Sequence, residues 1–176
     1  MEVSKITQIS DIVLEAVALA SKGVMEIYNS KEFAIEDKED GSPVTLADKR
    51  SHEILSSTLE PLDKSIPILS EEGDAQNNLS NLFWLIDPLD GTKEFINRND
   101  EFTVNVALIE NGRPILGVVS APAINETFLG LEGRAYKIVS GKKIQINSKK
   151  QTEELCLVTV SKSHKSEKDQ LFVDLC

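Results

Sequence analysis

Phe83-Trp84-Leu85-Ile86-Asp87-Pro88-Leu89-Asp90-Gly91-Thr92 is an apolar run that ends in two carboxylates, a glycine and a hydroxyl. Large apolar residues in succession suit a strand covered on both faces, and the Pro and Gly that follow stop such a strand and turn the chain. That reading places Asp87 and Asp90 on a tight turn, with the Leu89 carbonyl able to point inward between them. Two carboxylates and a backbone oxygen are hard ligands, matched to Mg2+ rather than to zinc or copper. Taken alone, the segment is equally well a strand followed by a solvated, Asp-rich turn.

Upstream, Ile66-Pro67-Ile68-Leu69-Ser70-Glu71-Glu72-Gly73 repeats the pattern of an apolar strand running into acids. Neighbouring strands that both end in carboxylates bring those groups together beyond one sheet edge, an arrangement tolerated when cations neutralise it. Further upstream, Thr45-Leu46-Ala47-Asp48 has an N-cap hydroxyl followed three residues later by an acid, although the capping box prefers Glu or Gln there. The spacing predicts a helix from this point to Pro61, with Asp48 in its first turn, Ile54, Leu55 and Leu59 on its buried face and His52 at the surface. Residues 7–29 form an earlier helix, because Ile12, Val13, Ala16, Val17, Ala20, Val24 and Ile27 recur at three- and four-residue steps. The charged stretch 30–43 between them ends in Asp40-Gly41-Ser42-Pro43 and reads as a mobile loop.

Downstream, Lys93-Glu94-Phe95-Ile96-Asn97 predicts a helical turn whose first amides lie near Gly91 and Thr92, a place where phosphate oxygens are accepted. The period then becomes two. Phe102 to Ile109 and Pro114 to Ser120 flank Asn111-Gly112, a strong hairpin signal. Strands over 127–131, 135–139 and 143–146, separated by Glu132-Gly133 and Ser140-Gly141, complete an antiparallel meander. Leu155 to Val160 reads as a strand, Ser161-Lys162-Ser163-His164 as a polar loop and 166–175 as a helix, the opening of a second α/β unit.

The 176 residues carry 29 acidic against 19 basic side chains, a formal charge of −10, which argues against a nonspecific nucleic-acid binder but admits a small anionic substrate bridged by a cation. With no apolar run of roughly 18 residues and no basic-then-apolar leader, a soluble, intracellular protein is expected. Cys156 and Cys176 lack metal-ligand spacing and read as reduced thiols.

Thr45-Leu46-Ala47-Asp48, Ser70-Glu71-Glu72 and Trp84 to Thr92, in that order, resemble the Mg2+-dependent, lithium-sensitive phosphatase superfamily of inositol monophosphatases, fructose-1,6-bisphosphatases and 3'(2'),5'-bisphosphate nucleotidases. Within it, Lys93-Glu94-Phe95, Glu101-Phe102-Thr103-Val104-Asn105 and Ser161-Lys162-Ser163-His164 are similar to the bacterial bisphosphate nucleotidases.

The resemblance implies an α+β fold, a layered, sugar-phosphatase-like α/β sandwich in which amino-terminal helices pack on an antiparallel sheet. Its metal-binding domain would occupy residues 1–150, and 151–176 would open a truncated carboxy-terminal α/β domain. It implies hydrolysis of adenosine 3',5'-bisphosphate to AMP and phosphate, which clears a by-product of sulfate assimilation, with Mg2+ as cofactor and activated water as nucleophile. Glu71, Asp87, the Leu89 carbonyl and Asp90 would be metal ligands, with Asp87 bridging. Asp48 and Thr92 would be catalytic. Glu71, Leu89, Asp90, Gly91, Thr92, Ser161 and His164 would meet the substrate. Family members continue through a Gly-Ser segment with a lysine and a Trp-Asp-x-Ala motif that supplies a further metal ligand, so weakened activity is expected of this chain.

The implied partner is a small nucleotide bisphosphate, not nucleic acid. The implied location is the cytoplasm, with a peripheral position on the cytoplasmic face of the membrane as a variant. An inositol monophosphatase is the alternative enzyme, and a non-catalytic metal-binding fragment the alternative of another class.

Overall fold

A helix of 28 residues, α1 (Val3–Ser30), opens the chain, and its buried side chains Ile6, Ile9, Val13, Ala16, Val17, Ala20 and Val24 keep the helical period. The computed structural model describes residues 3–30, 35–37, 43–73, 80–148 and 171–172. Ile12, expected on the buried face, is 38% exposed: it lies 100° round the helix from Val13, and Ile9 takes the place one turn earlier. The stretch expected to be a mobile loop instead contains two short strands, β1 (Ile35–Asp37) and β2 (Pro43–Thr45), paired antiparallel. Helix α2 (Leu46–Leu59) follows directly, burying Ala47, Asp48, Ser51, Leu55 and Leu59. Gly23 lets α1 and α2 approach closely, because a Cβ there would stand 3.3 Å from Ile54 Cδ1. A 3-10 turn at Glu60–Leu62 carries Pro61 and ends the helical run.

Seven strands then form one sheet in sequence order: β3 (Ile68–Ser70), β4 (Leu82–Asp90), β5 (Thr103–Glu110), β6 (Arg113–Ala121), β7 (Glu126–Leu131), β8 (Arg134–Val139) and β9 (Lys142–Ile146). The sheet is mixed rather than purely antiparallel. β3 runs parallel to β4, with Ile68 opposite Trp84 and Ser70 opposite Ile86, and every later pairing is antiparallel. Three of the hairpins in the meander, β5–β6, β7–β8 and β8–β9, turn at Asn111-Gly112, Glu132-Gly133 and Ser140-Gly141, each with both residues at positive φ. Paired positive φ values match the strand twist, which is why these dipeptides mark two-residue turns.

Trp84, Ile86, Val104, Val106, Leu108, Leu116, Val118 and Leu129 form one core with the buried faces of α1 and α2. The opposite sheet face is covered less: Leu85 is 42% and Val119 41% exposed. The expectation that 83–86 would be covered on both faces is therefore corrected, since a run of apolar residues does not reveal which side its neighbours occupy. The second correction lies at the end of β4. Pairing does not stop at Ile86 but continues through a bulge in which Asp87 faces Asn105 and Asp90 faces Thr103. Pro88 is tolerated there because a bulge does not call on its missing N–H.

By its contacts the chain divides into Met1–Ile146 and Asn147–Cys176. In the second unit the described residues are 147–148 and 171–172, and Leu171 and Phe172 are helical. The expected boundary at residue 150, the strand at 155–160 and most of the helix at 166–175 lie outside the described residues. Among the described residues, no helix is long and apolar enough to cross a membrane.

Candidate active site

Thr45 caps α2 in extended conformation, and its hydroxyl accepts the Ala47 N–H at 3.1 Å. Asp48 Oδ2 in return accepts from the Thr45 N–H at 2.7 Å and the Thr45 hydroxyl at 2.6 Å. Asp thus closes the capping box despite its shorter side chain. The box fixes Asp48, which is 1% exposed, and leaves its second oxygen free to face across the fold. There Asp48 Oδ1 accepts from the Thr92 hydroxyl at 3.2 Å, joining two segments 44 positions apart. The Thr92 hydroxyl also lies 3.2 Å from the Leu89 carbonyl. A hydroxyl has one proton, so the two acceptors share it. Burial pushes the Asp48 carboxyl up, the Thr45 side-chain and backbone donors pull it down, and the Glu72 charge pushes it up again.

The carboxylates of β3 and β4 meet because these strands are parallel neighbours in register. Glu71 follows Ser70 at the end of β3, and its N–H donates to the Ile86 carbonyl at 3.3 Å, which sets Glu71 beside Asp87. Burial, then the charges of Glu71 and Asp90, raise Asp87 to about 7. A hydrogen bond with Glu71 favours the same protonated form, while the Leu89 backbone donor opposes it. Asp87 Oδ1 is buried without a hydrogen-bond partner. Among the described residues, no three His, Cys, Asp or Glu side chains already form a metal cage. The fit to a cation therefore rests on charge and donor type. An orphaned carboxylate oxygen pressed by two further acids is a place where a divalent cation can replace the shared proton, and an all-oxygen set suits Mg2+.

Helix α3 (Thr92–Asn97) begins at Gly91, whose φ of 87° is left-handed and whose added Cβ would stand 2.8 Å from the Glu101 carbonyl. Glycine is required there by both conformation and space. The helix is held by an aromatic cluster in which Phe95 meets Tyr28 and Phe102 at ring separations of 5.0 and 5.1 Å. Arg98 stacks 4.3 Å over the Tyr28 ring and donates to the Tyr28 carbonyl, while the Tyr28 hydroxyl donates to Asp100 at 2.8 Å. Thr92 is thereby braced from α1 as well as from α2.

Of the residues singled out in the sequence, the fold brings together Asp48, Glu71, Asp87, Leu89, Asp90, Gly91 and Thr92 at one end of β3 and β4. Ser161 and His164 lie outside the described residues. Sequence reasoning missed His52, expected as a surface residue. It is half-buried, and its Nδ1 lies 2.8 Å from the Ser70 hydroxyl. The available signal was its position four residues after Asp48, on the same face of α2.

The model described as the inositol monophosphatase family matches residues 5–173. The chain is 42% identical over 160 residues to the 3'(2'),5'-bisphosphate nucleotidase CysQ of Escherichia coli (strain K12), across 88% of this chain and 63% of that protein. It is 38% identical over 162 residues to CysQ of Buchnera aphidicola subsp. Acyrthosiphon pisum, across 89% of this chain and 60% of that protein. Among solved structures, CysQ from Bacteroides thetaiotaomicron is similar with a TM-score of 0.70 at 30% identity, across 96% of this chain and 68% of that one. The IMPase of Thermotoga maritima is similar with a TM-score of 0.65 at 28% identity, across 78% and 53%. The chain thus spans 63% or less of the length of these curated relatives.

Proposed function

From the premise that this chain belongs to the inositol monophosphatase family, we propose that its site serves Mg2+-dependent hydrolysis of adenosine 3',5'-bisphosphate to AMP and phosphate. The observation that carries the reading is the meeting of Asp48 and Thr92 at 3.2 Å beside an Asp87 carboxylate crowded by Glu71 and Asp90. The nucleotide substrate, rather than inositol phosphate, is favoured by the relatives named bisphosphate nucleotidase.

Glu71, Asp87 and the Leu89 carbonyl would hold one Mg2+, and Asp87 with Asp90 a second. The chemistry Mg2+ would supply there is a lowered pKa for water in the site and neutralisation of charge on the phosphate and the leaving oxygen. When Thr92 gives its proton to Asp48, the lone pairs on its oxygen can accept a proton from the attacking water. Asp48 suits this role because it is held rigidly by Thr45, and burial makes it more basic than an exposed carboxylate. The amides of Gly91 and Thr92 at the start of α3 would offer donors to phosphate oxygens.

Phosphate release from adenosine 3',5'-bisphosphate and from inositol 1-phosphate, each with Mg2+ or with EDTA, tests this reading. Mg2+-dependent release that favours the nucleotide is expected, with a loss of about 100-fold or more in Thr92→Val. Preference for inositol 1-phosphate would contradict the substrate, and saturable Mg2+ binding without release from either would favour a non-catalytic metal-binding domain.

A further inference from the structure

We propose that His52 is a positioning residue for the carboxylate at the end of β3, acting on Glu71 through Ser70. The proposal rests on the metal reading above and adds to it a residue that touches neither cation nor substrate.

The need arises from the strand itself. β3 is three residues long and, among the described residues, lies at the edge of the sheet, paired to β4. So short an edge strand fixes few ladder hydrogen bonds, and the Glu71 N–H contributes one at 3.3 Å. A metal ligand, in contrast, must be held to within about 0.5 Å of its working position. The contact between Ser70 and His52 adds a restraint from outside the sheet.

Ser70, the last residue of β3, is buried, and its hydroxyl lies 2.8 Å from His52 Nδ1. The same oxygen accepts the Glu72 N–H at 3.3 Å, and the Ser70 carbonyl accepts the Gly73 N–H at 3.2 Å. Glu71 is therefore the middle of a turn tied at both ends to Ser70, and Ser70 is tied to His52. A hydroxyl has one proton and two lone pairs, so the Glu72 bond persists whichever of Ser70 and His52 donates to the other. The turn closes directly on the imidazole: a Cβ on Gly73 would stand 3.2 Å from Ser70 Cβ and 3.6 Å from His52 Cε1.

His52 also stands one helical turn beyond Asp48. One face of α2 thus presents Asp48 to Thr92 and His52 to Ser70. The helix acts as a jig that sets the proton acceptor on one side of the site and the edge-strand ligand on the other, so the two sides keep a fixed separation.

Two substitutions separate hydrogen bonding from packing. His52→Phe keeps a ring without the Nδ1 bond, whereas His52→Asn keeps a polar atom near the Nδ1 position without the ring. Mg2+ binding is measured by calorimetry on the full chain, with thermal melting to verify the fold. His52→Phe and Ser70→Ala should each weaken Mg2+ binding about 10-fold or more, as loss of an outer partner of a metal ligand does. Because Ser70→Ala also removes the acceptor of the Glu72 N–H, the double variant should add little to Ser70→Ala, and His52→Asn should recover most of the affinity lost in His52→Phe. The proposal is overturned if folded His52→Phe binds like the parent, or if His52→Asn is as weak as His52→Phe. Should His52→Phe not fold, Ser70→Ala decides, and parent-like affinity in it overturns the proposal. A parent chain that does not bind Mg2+ overturns the metal reading and this proposal with it, whereas equal binding by parent and variants removes the positioning role alone.

Discussion

Asp87 is the residue where the chain concentrates unfavourable charge. Its carboxyl is raised to about 7 by burial and by Glu71 and Asp90, against an ordinary unfolded value of about 3.9. Between those values the folded chain holds a proton that the unfolded chain releases, so the free energy of unfolding falls as pH rises through this window. Metal-free protein should accordingly melt at a lower temperature at pH 8 than at pH 6, and Asp87→Asn should shrink the difference. Thermal melts of both proteins in EDTA check this, and an unchanged pH difference in the variant would contradict it. Mg2+ competes with the same proton, so its binding should strengthen over the same interval. The acids Glu71, Asp87 and Asp90 stood out in the sequence because each follows an apolar run, whereas the pairing of Asp48 with Thr92, 44 positions apart, was suggested by the family resemblance and not by any local pattern. The spacing of His52 from Asp48 placed both on one side of α2, but the contact with Ser70, 18 positions away on another element, is encoded by no local period.

At the scale of elements, the geometry of the site is set where β4 passes into α3. The bulge between Asp87 and Asp90 keeps both acids on a paired strand, and Gly91 then turns the chain so that Thr92 starts the helix beneath Asp48. Gly91→Ala introduces a methyl 2.8 Å from a carbonyl oxygen at a φ of 87°. The variant should lose about 1–3 kcal/mol of stability, measured by urea unfolding, and Mg2+ binding should weaken because Asp90 and Thr92 shift together. Parent-like values of both would show that the corner is not rigid. The hairpin turns were readable because Asn111-Gly112, Glu132-Gly133 and Ser140-Gly141 meet a local backbone demand. The bulge, the parallel pairing of β3 and the β1–β2 pair were not, because each depends on a partner strand rather than on the segment's own pattern. Strands of three residues are also too short to display a period.

Across the amino-terminal unit, one packing decision accounts for the site. α1 and α2 share one face of the sheet, and the capped start of α2 comes to the end where β3 and β4 deliver their acids. The helix that supplies core residues Leu55 and Leu59 therefore also supplies Asp48 and His52. Substituting Mn2+ for Mg2+ and following the loss of backbone amide NMR signals locates the cation directly, because its electron spin broadens only nearby nuclei. At substoichiometric Mn2+, the signals of Asp48, Glu71, Glu72, Asp87, Asp90 and Thr92 should fade together, and excess Mg2+ should restore them. Broadening scattered over exposed acids such as Asp11, Glu15 and Glu26, or confined to one of the three segments, would contradict the account.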